Sequence, residues 1–430
     1  MTLHSPQNDA PRPRVVIIGG GFGGLNAAQT LRDAPVDITL LDRTNHHLFQ
    51  PLLYQAATAT LASSDITAPI RGVLRRQKNV TVLMGEATGI DVARKAIQVK
   101  GLPELEYDYL IVAAGARHSY FGHPEWEALA PGLKSIDDAL EIRRRFLTAF
   151  ELAEESTDEE EQRSLMTFVI IGGGPTGVEL AGIMIEIARQ ALREDFRRID
   201  TAQTRIVLLE GGPHILPAFP EALSRKARKD LEEFGVEVRT KELVTRIEPD
   251  AVWVGEERIA TRTVFWAAGN AASPLTKSLG APLDKAGRVE VNADLSVPGH
   301  PEIFAIGDMA LVLQRGKPVP GVAQGAIQGG QLAAENIRRS VAGQPRVPFR
   351  YFDKGNLATI GRDHGIADLR GLHLSGRLGW WLWLLVHILF LIGFRNRASV
   401  LLQWAISYLT YQRSSRLISH LDPKDGKISS

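Results

Sequence analysis

The hexapeptide Val-Ile-Ile-Gly-Gly-Gly stands twice in the chain, at Val16–Gly21 and at Val169–Gly174. Each copy extends into G-x-G-x-x-G, as Gly19/Gly21/Gly24 and as Gly172/Gly174/Gly177, with Phe22 and Gly23 inside the first and Pro175 and Thr176 inside the second. Glycines at this spacing let a strand turn tightly into a helix, so that backbone N–H groups and the helix dipole meet a pyrophosphate. Each copy also has an acid at the end of the next apolar strand, Asp42 after Ile38–Leu41 and Glu210 after Ile206–Leu209. Asp42 lies at about the ~20-residue distance expected of a ribose-binding acid, whereas Glu210 lies further on, past a longer helix and the polar stretch Arg193–Thr204. A carboxylate there accepts the ribose hydroxyls of an adenosine and repels a 2′-phosphate. The pattern reads as two independent dinucleotide sites; two purely structural turns are the alternative.

Other residues could serve such ligands. The strand Tyr107–Ala113 ends in Ala114-Gly115, and Thr263–Ala268 ends in Gly269, so the repeat is larger than the glycine loops. Small residues there let backbone approach a cofactor, or simply end a strand in a turn. Ile303–Ile306 runs into Gly307-Asp308, and an acid at the carboxyl end of a parallel strand faces the ligand crevice of an open α/β sheet. In the helix expected over Val322–Arg338, Gln324, Gln328 and Gln331 fall at i, i+4 and i+7, on one face. That face is either a solvent stripe or a row of amides for a polar ligand.

The elements that must position these groups are two βαβ units, Arg14–Leu41 and Thr167–Glu210, joined through an amphipathic helix at Ser135–Glu155. With 430 residues and ~150 residues per domain, the chain suits two to three domains. Its 50 basic and 49 acidic residues leave a net charge of +1, so no global field draws it to nucleic acid. Cysteine is absent, which removes disulfides, thiolate metal sites and thiol redox chemistry. The 11 histidines show no metal-ligand spacing, and His46-His47 read as ordinary polar or packing residues, so no metal site is expected. Met1–Pro13 is polar, carries no apolar signal segment and is expected to be disordered.

The last part of the chain changes character. Leu378–Phe394 is a seventeen-residue run broken only by Gly379, His387 and Gly393, carrying Trp380, Trp381 and Trp383 and flanked by Arg377, Arg395 and Arg397. As one helix it would cover ~25 Å, the short limit of a membrane span. Ala398–Tyr411 then sets a polar stripe of Ser399, Gln403, Ser407 and Thr410 against Leu401, Leu402, Trp404, Ile406, Tyr408 and Leu409, ahead of the basic Arg413–Arg416. Tryptophan and arginine at the ends of apolar helices point to two helices dipping into one leaflet, with attraction to anionic lipid. A true crossing and a soluble dimerisation face are the alternatives.

With these pieces in place the chain resembles the two-dinucleotide-binding flavoproteins and, among them, the type II NADH dehydrogenases, the single-subunit NADH:quinone oxidoreductases. The stretches that carry the resemblance are His46–Tyr54, Gly172–Leu180 with Glu179, Ala323–Gln328, and His387–Arg397 (HILFLIGFRNR), within a span from about Arg14 to Arg416. The absence of cysteine argues against the relatives that pass electrons through thiols. The resemblance implies an α/β fold of two Rossmann-like domains, the second inserted in the first, plus a C-terminal amphipathic-helix membrane-anchoring region. The expected boundaries are 14–125 and 288–345 for FAD, 126–287 for NADH and 346–430 for the anchor, after a disordered 1–13.

It further implies FAD held by Gly19, Gly21, Phe22, Gly23, Gly24, Asp42, Arg43, Gln50, Ala87, Gly115, Asp308 and Ala326. NADH is expected on Gly172, Gly174, Pro175, Thr176, Gly177, Glu210 and Gly269. Gln324 and Gln328 would bond the quinone carbonyls, and Glu179 would deliver a proton; a glutamate that only serves the helix dipole is the alternative. The N-terminus of the Val322–Arg338 helix would favour the reduced flavin by a modest ~0.3–1 kcal/mol. The expected activity is a hydride transfer from NADH to FAD and two-electron reduction of a membrane quinone, without proton pumping. The expected place is the cytoplasmic face of the cell membrane, with homodimers known in the resembling family. A soluble reductase of a protein acceptor and a membrane-bound redox sensor are the rivals.

Overall fold

The structure, a computed structural model, describes residues 11–410 and 416–418. The expectations on most of the N-terminal segment and on Arg413–Ser415 lie outside the described residues. In chain order the elements that matter for function begin with β1 (Arg14–Ile18), α1 (Phe22–Thr30), β2 (Asp37–Asp42), α2 (Leu53–Ala57), β3 (Val80–Met84) and β4 (Tyr109–Val112). There follow β5 (Thr167–Ile171), α3 (Pro175–Glu186), β6 (Arg205–Glu210), β7 (Val236–Thr240), β8 (Thr263–Trp266), β9 (Ser296–Val297), β10 (His300–Ala305) and α4 (Ala323–Val341). The chain closes with β11 (Asn356–Gly361), β12 (His364–Leu369), β13 (Leu372–Ser375), α5 (Gly376–Phe390) and α6 (Phe394–Thr410).

Two compact units form. The first, Met1–His47 with Ala68–Arg117 and Asn270–Asp353, holds a sheet in the order β9-β10-β4-β1-β2-β3. All its pairings are parallel except β9 with β10. Strands covered on both faces need continuous β-branched apolar runs, and Val15–Ile18 are buried without a break. Register aligns Ile18 with Leu41 and with Val112, and Val112 with Ala305. The loops that follow these strands therefore share one edge of the sheet.

The second unit, Leu48–Thr67 with His118–Gly269 and Lys354–Ser430, repeats this on a smaller scale. Its parallel sheet runs β7-β6-β5-β8, with Ile171 aligned to Leu209 and Trp266. An antiparallel sheet, β11-β12-β13, covers α3 in this unit. The contact is a backbone one: a Cβ on Gly182 of α3 would stand 1.6 Å from the carbonyl oxygen of Ile360. Gly379 seats α5 on β12 in the same way, since its Cβ would meet the Gly365 oxygen at 2.4 Å. Both glycines interrupt apolar helices because a strand lies directly against them.

The apolar run Leu378–Phe394 is not one helix. α5 stops at Phe390, Leu391 is extended at φ −65° and ψ 131°, and Gly393 takes φ +91° before α6 begins. Arg397 closes the end of α5 by donating to the carbonyls of Leu389 and Leu391 at 2.8 and 2.7 Å. Among the described residues no helix is long and apolar enough to cross a membrane.

Candidate functional site

Both glycine loops form the strand-to-helix turn that their spacing requires. Gly19 sits at φ +102° with its would-be Cβ 2.3 Å from the Ala113 oxygen, and a Cβ on Gly24 would meet the Gly19 oxygen at 1.8 Å. The second copy matches: Gly172 has φ +111°, and a Cβ on Gly177 would stand 1.9 Å from the Gly172 oxygen. The middle glycines behave differently. Gly21 and Gly174 are the N-caps of α1 and α3, neither helix start has a side-chain cap, and a Cβ on either would meet nothing within 4 Å. Open space over uncapped helix N–H groups is what a pyrophosphate requires, so both cradles fit a dinucleotide.

The two strand-end acids hold their own loops. The Asp42 carboxylate accepts from the Gly20 N–H at 2.5 Å and from the N–H and hydroxyl of Thr44, each at 2.7 Å. The Glu210 carboxylate accepts from the N–H groups of Gly173 and Gly212, each at 2.6 Å. The sequence suggested only a ribose contact; folding adds a bond that fixes the loop. Each carboxylate oxygen can accept more than one donor, so a ribose hydroxyl remains compatible with this arrangement.

In the first unit the sheet edge gathers the loop Gly19–Gly24, Asp42 and the exposed Arg43, Gly115 after β4, and Gly307-Asp308 after β10. Phe22 packs edge-on against His47, with ring centroids 5.0 Å apart. α4 crosses α1 closely, so that a Cβ on Gly330 would meet the Gly23 oxygen at 2.2 Å and one on Gly23 the Ala326 oxygen at 3.2 Å. Ala87 lies three residues past β3 and starts a separate antiparallel sheet. Gln50, exposed, belongs to the second unit, its amide donating to the Lys134 carbonyl at 3.2 Å. Gly269, at φ +71°, follows β8 at the edge where Gly172 follows β5 and Glu210 ends β6.

The glutamines of α4 part company. Gln328 is engaged in both directions by one residue, donating to the Phe352 carbonyl at 3.0 Å and accepting from its N–H at 2.9 Å. The Oε1 of Gln324 is buried with no hydrogen-bond partner among the described residues, and Gln331 is exposed. Of the three, Gln324 alone presents a buried acceptor with no partner among the described residues.

Glu179 is the most perturbed acid near a glycine loop. Its side chain enters a cleft of the second unit enclosing about 630 Å³, part of it open to solvent. Tyr54, Gln55, Trp380, Trp383, Trp404 and Tyr408 supply most of the wall. Burial pushes the carboxyl up to about 8, against the opposing pull of a backbone hydrogen bond from Thr359 and of the Trp383 indole. That indole N–H approaches the carboxyl without completing a hydrogen bond of good geometry. Behind Trp383, His387 stacks at 4.2 Å between centroids, and burial pushes its imidazole down to about 4. The tryptophans were visible in the sequence as an interfacial signal; their role as a wall around Glu179 was not, nor was that of Gln55.

The second of the last two helices carries its amphipathicity inside out. On α6 the start of the polar stripe faces protein: Ser399 and Gln403 donate to the Asp65 carboxylate at 2.8 and 2.7 Å, and Asn396 donates to the Thr67 carbonyl at 2.8 Å. The apolar side faces out, with Leu402 62 % exposed beside Leu401 and Ile406, and Leu378, Trp381, Leu385 and Leu389 exposed along α5. A run of large apolar side chains left in solvent is the mark of a surface that is covered by something apolar.

Comparison with known proteins adds the following. Residues 13–330 match the pyridine nucleotide-disulphide oxidoreductase family, and residues 354–413 match the NDH2 C-terminal domain. Two proteins of Mycobacterium tuberculosis, the type II NADH:quinone oxidoreductases Ndh and NdhA, are 45% and 46% identical to the chain. The matches cover 95% and 97% of this chain and 90% and 92% of theirs. The solved structure of NDH2 from Plasmodium falciparum in complex with NADH is 23% identical and superposes with a TM-score of 0.85, over 94% of this chain and 99% of that one.

Proposed function

The chain belongs to the pyridine nucleotide-disulphide oxidoreductase family and, within it, to the type II NADH:quinone oxidoreductases, and on that premise we propose how its residues divide the work. The protein is an FAD-dependent NADH:quinone oxidoreductase. When bound, the flavin supplies the two-electron relay from the NADH hydride to the quinone. With no cysteine in the chain, that relay proceeds without the thiol pair for which the wider family is named.

The Gly19–Gly24 loop, Asp42, Arg43, Gly115, Asp308 and Ala326 would hold FAD; the gathering of most of them at one sheet edge supports this. Gly172, Gly174, Pro175, Thr176, Gly177, Glu210 and Gly269 would hold NADH in the same manner. Glu210 carries a negative charge where a 2′-phosphate would fall, which favours NADH over NADPH. Glu179, protonated near neutrality, would give a proton to the reduced quinone, and Gln324 would donate from its amide to a quinone carbonyl as its place in the family's Ala323–Gln328 stretch implies. The observation that carries the reading is the acid two residues past the second glycine loop, set in an aromatic cleft whose helices turn apolar faces outward. Purified protein should be yellow, bleach on anaerobic NADH and recolour on added quinone; colourless protein that refuses FAD would overturn it.

The protein is a peripheral membrane enzyme, and we place it on the cytoplasmic face with α5 and α6 lying in the headgroup region. The exposed leucines with Trp381 support the orientation, and Arg377 and Arg395 stand at the helix ends to meet phosphate. Replacing Leu401, Leu402 and Ile406 together by serine should release the protein from sedimenting liposomes while a water-soluble quinone is still reduced.

A further inference from the structure

One buried side chain ties two walls of the Glu179 cleft together. Gln55, 5% exposed, accepts from the Trp404 indole N–H through Oε1 at 2.7 Å and donates through Nε2 to the Tyr54 hydroxyl oxygen at 2.9 Å. Its two partners sit on α2 and α6, so a single planar amide fixes the gap between rings from opposite ends of the sequence. Trp383 completes the wall, 5.6 Å from Trp404 and 6.4 Å from Tyr54 between centroids, and is itself backed by His387. Ile183, four residues on from Glu179 and on the same face of α3, also lines the cleft. A slot of fixed aromatic rings around a proton-donating carboxyl suits a flat, uncharged ring that bears carbonyl acceptors.

We infer that Gln55 is a positioning residue for the quinone: by holding Tyr54 and Trp404 at a set separation it shapes the slot that receives the quinone ring. This rests on the NADH:quinone reading above. Gln55 touches neither electron nor proton; it acts through the two rings, so it governs quinone affinity and leaves the step that follows binding alone. The amide is also placed where a small change is decisive. Aromatic packing falls off within an ångström, and an unpaired indole N–H in a buried wall would turn towards a new acceptor.

The test is Gln55→Leu, which removes both bonds while keeping most of the bulk. The dissociation constant of a short-chain, water-soluble quinone, read by quenching of tryptophan fluorescence, and its KM should both rise at least about fivefold. kcat with saturating quinone should stay within about twofold, and so should the KM for NADH. A folded Gln55→Leu protein with normal flavin content whose quinone constants match the wild type would overturn the inference. So would an equal rise in the constants for quinone and NADH. If Gln55→Leu does not fold, Trp404→Phe, which lacks the indole N–H, must raise the quinone KM in its place, and an unchanged KM would be equally decisive. Wild-type protein that never reduces quinone would instead sink the parent reading.

Discussion

The two glycine loops share a hexapeptide, a helix start without a side-chain cap and an acid at the end of the next strand, yet their surroundings set them apart. α1 is covered by another helix, α4, and the first loop carries a fifth glycine, Gly23, that the second lacks, between Ile306 and Ala326. α3 is covered by a strand, β11, through Gly182. Two residues past the last glycine, the first copy has Asn26 and the second Glu179. Asn26 turns its amide back to the Phe22 carbonyl at 2.8 Å and so satisfies itself within the helix. Glu179 enters a cleft where its ionised form is disfavoured. The loops make both copies cradles; the covering element and this one position decide that only the second adjoins a carboxyl whose ionised form is disfavoured.

The sharpest way to separate the copies is at the third glycine. Gly24→Ala would force a Cβ onto the Gly19 oxygen and should abolish flavin binding, leaving colourless protein. Gly177→Ala should leave a yellow protein whose KM for NADH rises at least about tenfold, on the order of 1.4 kcal/mol. Absorbance at purification and steady-state kinetics read the two outcomes. Equal loss of colour in both would mean that the cradles do not act independently.

Next in size is the contrast between Glu179 and Asn26. Glu179→Gln should slow quinone reduction by about 10²-fold, while bleaching by NADH continues. The wild-type rate should fall as pH rises through about 8, because the proton-bearing form is then lost, and this limb should vanish in Glu179→Gln. The sign for stability runs opposite to the usual carboxylate. With the folded value raised from 4.5 to about 8, the contribution of Glu179 is fully present below about 4.5 and is lost as pH rises towards and through 8. Glu179→Gln should therefore melt higher than wild type at pH 8–9 by a few degrees and not at pH 4, as thermal scans would reveal. Asn26→Asp, by contrast, should cost roughly 0.5–1.5 kcal/mol of stability at most and leave the quinone pH profile unmoved.

The smallest effect concerns the strand-end acids. Glu210→Gln keeps one acceptor for the loop N–H groups but removes the charge, so the preference for NADH over NADPH should narrow several-fold in kcat/KM. Asp42→Asn should loosen FAD several-fold without altering that preference. If Asp42→Asn changed nucleotide choice, or Glu210→Gln released flavin, the assignment of cofactor to copy would be reversed.

Both cradles were legible in the sequence because their requirements are local. A left-handed φ at Gly19 and Gly172, a carbonyl 1.8–1.9 Å from a would-be Cβ, and an acid one strand away follow from chain geometry within some forty residues. The C-terminal polar stripe was legible as a stripe, but not its direction. Ser399 and Gln403 look like a solvent face until folding brings Asp65 to them, and only then does the leucine side become the outer one. The break at Leu391–Gly393 was hidden in the same way, since an apolar run gives its length but not the turn that Arg397 stabilises.

By itself, then, the sequence determined two dinucleotide loops, their acids, a thiol-free chain and a tryptophan-rich apolar tail, each written in residues near one another. Only the tertiary structure decided that Glu179 sits among Tyr54, Trp383 and Trp404, that Gln55 spans two of those rings, and that Gln328 bonds the Phe352 backbone. Such arrangements depend on which distant backbones can approach, and that is settled by glycines such as Gly182 and Gly379 at contacts no local pattern records.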